Sequence, residues 1–203
     1  MNLLIELHYF PCIEYFSQLI QFNTIYLEAH ENFQKQSYRN RCKILAANKI
    51  DTLTVPVLGS NSKTPIREVE IDYTQSWQRI HWRAIQSAYG KAPYYEYFSD
   101  YFKNIYDKKP RFLWDLNLEA LTVCLKLLQL EKKMVLTTEY NKGVGFNVKD
   151  IVDKRSLIHP KNQGETAATK YTQVFGKDFV NNLSIIDLIL NEGPNGVAIL
   201  KGK

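Results

Sequence analysis

The chain has 203 residues, 45% of them hydrophobic and 23% charged, with a formal net charge of +5 at pH 7. That length suits one domain over residues 1–203, and the apolar and aromatic content excludes a disordered chain. The charge excess is too small to point to nucleic acid by itself, and no stretch reaches the roughly 20 apolar residues of a membrane span. Cys12, Cys42 and Cys124 lie far apart with no metal-ligand spacing, and the opening MNLLIELHYF lacks the basic n-region of a signal peptide. The expected setting is therefore a reducing cytoplasm with free thiols.

Residues 3–10 form an apolar run that reads as a buried strand. Pro11 stops it and suits the first position of a helix, along which Ile13, Phe16, Leu19 and Ile20 recur at helical spacing. Residues 25–29 make a second strand. Strand, helix and strand in about 30 residues is the size of a βαβ unit with a parallel sheet. Residues 42–47 and 53–58 read as a hairpin around a turn at 48–51, with Pro56 marking an edge position or a bulge. Residues 59–65 (GSNSKTP) form a solvent loop, and the alternation over 66–71 predicts a strand covered on one face.

Thr74 is a good helix N-cap and Gly90 a good stop. Between them Trp77, Ile80, His81, Ala84, Ile85 and Ala88 fall on one stripe. Pro93 opens a second helix with Phe98, Tyr101, Phe102, Ile105 and Tyr106 as its apolar side, giving a helical hairpin. Leu118, Leu121, Leu125 and Leu128 mark a third amphipathic helix, followed by a short strand at 134–138. Residues 141–170 hold scattered glycines, a proline and many charges, and read as an irregular arm or lid. Residues 183–190 (LSIIDLIL) are short enough to be helix or strand, and Ser184 as an N-cap favours helix.

The densest polar stretch is EAHENFQKQSYRNRCK at 28–43, set between two apolar strands with almost nothing to fill a core. Such loops carry function more often than the elements they join. Ligands of parallel sheets collect at the carboxyl ends of strands, and here those ends carry His8 and His30. Both imidazoles should then face one crevice, where either could act as a base or an acid. Glu28 and Glu31 flank His30, and a neighbouring carboxylate can orient an imidazole. Tyr38-Arg39-Asn40-Arg41, with Lys35, can hold a phosphate or carboxylate through bidentate bonds; in a strand the two arginines would share a face. His81, near Arg83, Tyr89 and Lys91, is a further candidate ligand contact, although it lies on an apolar stripe. Cys12 at a helix start is a weaker nucleophile candidate.

Basic and aromatic residues interleave at 35–43, but they would cover only a few phosphates, and no basic stripe exists elsewhere, so nucleic acid is not the expected partner. There is no GxxxxGK[ST], GxGxxG or GxSxG motif, and His8 with His30 lacks any metal-binding spacing. The residues therefore locate a site without naming a reaction.

HYFPCIEYF at 8–16, QSYRNRCKI at 36–44, LTVPV at 53–57, HWRAIQSAYGKAPYYEYF at 81–98 and LSIIDLILNEGP at 183–194 resemble, in order, the WbqC-like family. These are bacterial proteins found in part within gene clusters for surface polysaccharide (O-antigen) synthesis. The resemblance implies transfer of an aminoacyl group, glycine in particular, to a polysaccharide sugar; it assigns no catalytic residue. The family pattern opens with Gln-Pro ahead of the tyrosine and proline, where this chain has Glu6-Leu7-His8-Tyr9-Phe10-Pro11. Many members carry paired aspartates after the second strand, where this chain has Glu28-Ala29-His30-Glu31.

The expectation is thus an α/β single domain, with a mixed sheet opening in a βαβ unit, a helical hairpin and an irregular C-terminal arm. The expected activity is acyl or aminoacyl transfer onto a small-molecule or nucleotide-sugar substrate. Arg39, Arg41 and Lys35 would hold an anion, His30 or His8 would remove the acceptor's proton, and Tyr38, Asn40 and His81 would position the substrate. No metal ligands, cofactor or oligomeric state are assigned. Alternatives are a non-catalytic module of a glycan assembly pathway and a metal-dependent hydrolase.

Overall fold

The structure, a computed structural model, describes residues 1–140, 150–161, 169–176 and 178–202. Strand β1 (Asn2–Glu6), helix α1 (Ile13–Leu19) and strand β2 (Thr24–Glu28) form the expected βαβ unit. The two strands run parallel in register from Asn2↔Thr24 to Glu6↔Glu28. Leu3, Ile5, Ile25 and Leu27 are wholly buried, and Leu4 nearly so. A strand covered on both faces needs apolar residues in succession, which is why β1 reads as a run and not an alternation. It ends at Glu6, short of the expected Phe10, because the chain turns inward there. Phe10 takes a left-handed φ of 39°, and Tyr9 N donates to Tyr38 O at 2.9 Å.

Strands β3 (Arg41–Leu45) and β4 (Ile50–Thr54) make the expected hairpin, paired from Arg41↔Thr54 to Leu45↔Ile50. It stands as its own two-stranded sheet and does not join β1 and β2 in one mixed sheet. Pro56 falls beyond β4, so no ladder bond has to bypass it. The main sheet is completed by β5 (Lys133–Leu136) and β6 (Ile151–Asp153), all parallel, in the order β5-β2-β1-β6. Strand β6 is a correction: it lies inside the stretch expected to be an irregular arm, and three residues are too few to show a period. Residues 141–149 and 162–168 of that arm lie outside the described residues. The strand expected at 66–71 is instead a 3-10 turn (Ile66–Glu68) followed by isolated bridges, Glu70↔Phe112 and Val57↔Ile71.

Helices α2 (Trp77–Tyr89) and α3 (Tyr95–Asp107) form the helical hairpin, and α4 (Leu113–Leu127) packs on α3. Thr74 does not cap α2; its hydroxyl donates to Asp72 Oδ1 at 2.6 Å in the preceding turn. Helix α4 begins earlier than the leucine spacing suggests, with Leu113, Trp114 and Leu116 buried in its first turns. Helix α5 (Ile185–Glu192) is buried from Ile185 to Asn191 and packs against α1, α3, α4 and β3. A helix apolar on nearly every side has to sit inside the protein. Ser184 caps it, accepting from Ile186 N and donating to Phe10 O. Gly193 ends it at φ 57° and ψ −138°, a conformation close to glycine-only. A short helix α6 (Gly196–Leu200) follows. Among the described residues no helix is long and apolar enough to cross a membrane.

Candidate functional site

The carboxyl ends of β1 and β2 each close on a glutamate, and the register sets Glu6 directly beside Glu28. Both are fully buried, and two carboxylates so placed require partners. Glu6 Oε1 accepts from His8 Nε2 at 3.1 Å and lies 3.6 Å from Arg39 Nη2, while Oε2 accepts from Ser156 N at 3.0 Å. Although burial opposes ionisation, these bonds and charges hold the Glu6 carboxyl down at about 2. Glu28 Oε2 accepts from Arg155 Nη1 at 2.6 Å, and its Oε1 accepts from Thr137 Oγ1 and His30 N. Arg155 also grips Asp153 at the end of β6 and stacks its guanidinium on the Tyr140 ring at 4.9 Å. Arg39, 1% exposed, is bound fork to fork by Glu31, with Nε to Oε1 at 2.8 Å and Nη2 to Oε2 at 2.5 Å. Three buried glutamates thus face two guanidiniums. Glu31 is the one driven toward its neutral form: burial first, then Glu6 and Glu28, push it up to about 7 against the pull of Arg39.

The loop between β2 and β3 covers this cluster and is fixed along its length. Phe33 N donates to Thr64 O and Ile66 N to Glu31 O. Gln36 turns the chain at φ 57°, and Ser37 Oγ donates to Gln34 O at 2.7 Å. Asn117 Nδ2, from α4, donates to Arg39 O at 2.7 Å, and Val55 N donates to Asn40 O at 2.8 Å. Ala29, Phe33, Tyr38 and Cys42 join the hydrophobic core and Arg39 is buried too, so the stretch that reads as almost free of core residues supplies several.

On its outer side the same loop walls two hollows. One, of about 560 Å³, is lined by His30, Glu31, Asn32, Phe33, Gln34, Lys35, Ser62 and Tyr140. The other, of about 500 Å³, is lined by Phe33, Lys35, Gln36, Asn40, Arg41, Val57 and residues 59–61. Phe33 and Lys35 belong to both, so the hollows adjoin. In the first, His30 Nε2 lies 3.1 Å from Thr137 O. A carbonyl only accepts, so Nε2 carries the proton and Nδ1 keeps its lone pair when the ring is neutral. Glu31 also lines this hollow, with both carboxylate oxygens accepting from Arg39. This hollow can take up and return a proton. The second contains Lys35 and Arg41 and, among the described residues, no acidic side chain, which suits an anion.

Residues 7–162 and 158–199 match the WbqC-like protein family. The chain belongs to that family. Over 144 residues it is 25% identical to the uncharacterized protein Rv1507c of Mycobacterium tuberculosis, an alignment covering 70% of this chain and 62% of that relative's length. No solved structure gives a significant match. Three of the segments that carry the WbqC-like resemblance, 8–16, 36–44 and 183–194, are stitched into one seam behind the site. Tyr9 N donates to Tyr38 O, Ile13 N to Leu183 O, Ser184 N to Lys43 O and Ile185 N to Pro11 O.

In this WbqC-like protein the candidate residues separate into layers. Arg39 and His8 lie within the buried cluster, sharing Glu6. His30, Lys35, Asn40 and Arg41 border the hollows. The expectation that both imidazoles face one crevice fails: His8 is wholly buried against the Tyr15 and Tyr38 rings, and burial lowers its pKa. Nor do Arg39 and Arg41 share a strand face, since Arg39 sits in the turn before β3. Tyr38 is buried, which pushes its hydroxyl pKa up. Glu28 bonds the backbone of His30 and leaves its ring to Thr137. His81 lies elsewhere, 4% exposed, with Nδ1 3.0 Å from Tyr9 Oη among Trp77 and Tyr106; burial takes its pKa down to about 4. Cys12 is also buried, with its thiol pushed up to about 12, which removes the expected thiolate. Sequence reasoning missed Glu6, Thr137, Arg155 and residues 59–61. A charged residue closing each of two buried parallel strands was the available signal for Glu6. Nothing local marked Arg155, which reaches Glu28 from the turn after β6. Among the described residues no three His, Cys, Asp or Glu side chains are grouped to hold a metal ion.

Proposed function

We propose that this WbqC-like protein is a cytoplasmic transferase of surface-glycan precursor synthesis, moving an acyl or aminoacyl group onto an amino or hydroxyl group of a sugar. The observation that carries the reading is the pair of adjoining hollows with different chemistry on either side of Lys35. A transferase must hold two substrates in contact, one of them beside a proton acceptor. His30 Nδ1 takes the acceptor's proton as its nitrogen or oxygen attacks the acyl carbonyl of an activated ester or thioester. The bond from that carbon to the leaving group breaks, and the proton passes from His30 to the leaving group. Arg41 and Lys35 anchor an anionic part of one substrate, and Asn40 contacts its polar groups. Tyr38, Arg39 and His8 hold the loop from beneath.

The test is incubation with activated acyl and aminoacyl donors and sugar-nucleotide acceptors, read by mass spectrometry for a product carrying the added acyl mass. Transfer by the wild type, lost in His30→Ala and reduced in Arg41→Ala, is the expected result. Transfer that survives His30→Ala at the wild-type rate removes His30 as the base. A broad donor and acceptor screen without product counts against the activity itself.

A further inference from the structure

The hollow on the Arg41 side has two unmet requirements. Among the described residues, Arg41 Nε is buried and has no hydrogen-bond partner, and the same holds for Asn40 Oδ1. The orientation of the Asn40 amide is fixed, because its Nδ2 donates to Val55 O at 2.9 Å and a carbonyl can only accept. The orphan is therefore an acceptor, held in a residue that is 7% exposed. Adjacent positions thus present one unpaired charged donor and one unpaired neutral acceptor. Buried groups of this kind are normally paired, and their desolvation goes uncompensated when they are not. Lys35 and Arg41 also lack a carboxylate partner among the described residues, and Arg39 cannot serve because Glu31 occupies its fork.

We infer that this hollow binds a phosphate ester that also bears a hydroxyl, as in a sugar phosphate or sugar nucleotide. The phosphate oxygens accept from Arg41 and Lys35, and a ligand hydroxyl donates to Asn40 Oδ1. A carboxylate or a fully ionised phosphate would meet only the first requirement; a neutral sugar would meet only the second. Residues 59–61, in the left-handed turn at Gly59 (φ 47°), line the same hollow with small and polar groups. The inference rests on the two-hollow reading above and specifies which substrate enters on the Arg41 side.

Calorimetry on the full chain with glucose 1-phosphate, UDP-glucose, inorganic phosphate and glucose tests it. The expected order places both phosphate esters above inorganic phosphate, and that above glucose. Arg41→Ala should weaken the esters by about tenfold or more, the loss of roughly one charge-assisted bond. Lys35→Ala, at an exposed position, gives the same direction of change should Arg41→Ala fail to fold. Asn40→Asp, which keeps the Val55 side crowded but sets a negative charge beside the phosphate, should abolish binding. Inorganic phosphate matching the esters, or esters binding equally to the Arg41 and Lys35 variants, overturns the inference. His30→Ala separates this result from the activity. Ester affinity unchanged in His30→Ala with no transfer by the wild type sinks the transferase reading alone; transfer without dependence of ester affinity on Arg41 sinks the site assignment alone.

Discussion

Arg39, in the turn before β3, and Arg41, at the start of β3, stand two residues apart, and their surroundings differ completely. Arg39 is 1% exposed, bonded twice to Glu31 and close to Glu6. Arg41 borders an open hollow, with a buried Nε that meets no acceptor among the described residues. The inner face of the loop carries two paired sets of charges, Arg39 with Glu31, Glu6 and His8, and Arg155 with Glu28. The outer face presents His30, Lys35, Asn40 and Arg41 with unused bonding capacity. Residue type does not separate a structural guanidinium from a ligand-binding one. The partner it already has does.

The sharpest way to break that distinction is to truncate each arginine. Arg39→Ala should lose about 3–5 kcal/mol in urea denaturation, since it strands Glu31 and weakens the hold on Glu6. Arg41→Ala should stay within about 0.5 kcal/mol of the wild type. A small loss for Arg39→Ala would mean the buried pair contributes little and the inner face is not a scaffold.

The next effect is one of pH. The Glu6 carboxyl falls from 4.5 to about 2 on folding. Its contribution, on the order of 3 kcal/mol, is present above pH 4.5 and lost as pH falls toward 2. Glu31 has the opposite sign, rising from 4.5 to about 7. Between those values the folded state holds a proton that the unfolded state has released, so stability declines as pH rises through the window. Denaturation midpoints across pH should show both slopes, with Glu6→Gln flattening the acid limb and Glu31→Gln the neutral one. An acid limb unchanged in Glu6→Gln would separate that carboxylate from the network.

Arg155→Ala should cost less, about 1–3 kcal/mol, because its side chain is 9% exposed and water can partly replace it at Glu28. A melting curve identical to the wild type would detach β6 from the cluster. His30→Ala should shift stability least, within about 0.5 kcal/mol, since it removes an exposed ring bonded to the Thr137 backbone carbonyl. A large loss of stability there would move His30 to the structural face.

The sequence made the βαβ opening, the hairpin, the helical pair and the Ser184-capped helix legible, because each has a period or a cap. It could not show β6, whose three residues have no pattern, or that the β3–β4 pair stands apart from the main sheet. The loop at 28–43 was visible as a dense polar stretch, yet its two faces were not. Arg39 is internal because Glu31 precedes it on the same loop and Asn117, far along the chain, holds its carbonyl. His8 looked equivalent to His30 because each follows a strand. The inward turn at Phe10 buries one, and a threonine carbonyl from the end of β5 holds the other at the rim. Long-range partners of this kind leave no local trace.

The most direct test is amide chemical-shift mapping of the isotope-labelled chain titrated with glucose 1-phosphate. The account predicts saturable shifts at residues 33–36, 40–41 and 57–61, with the amides of Glu6, Leu7 and His8 in the buried layer nearly still. Shifts confined to the surface between α2 and α3, around Tyr73 and Trp82, or largest at Glu6 and His8, would contradict it.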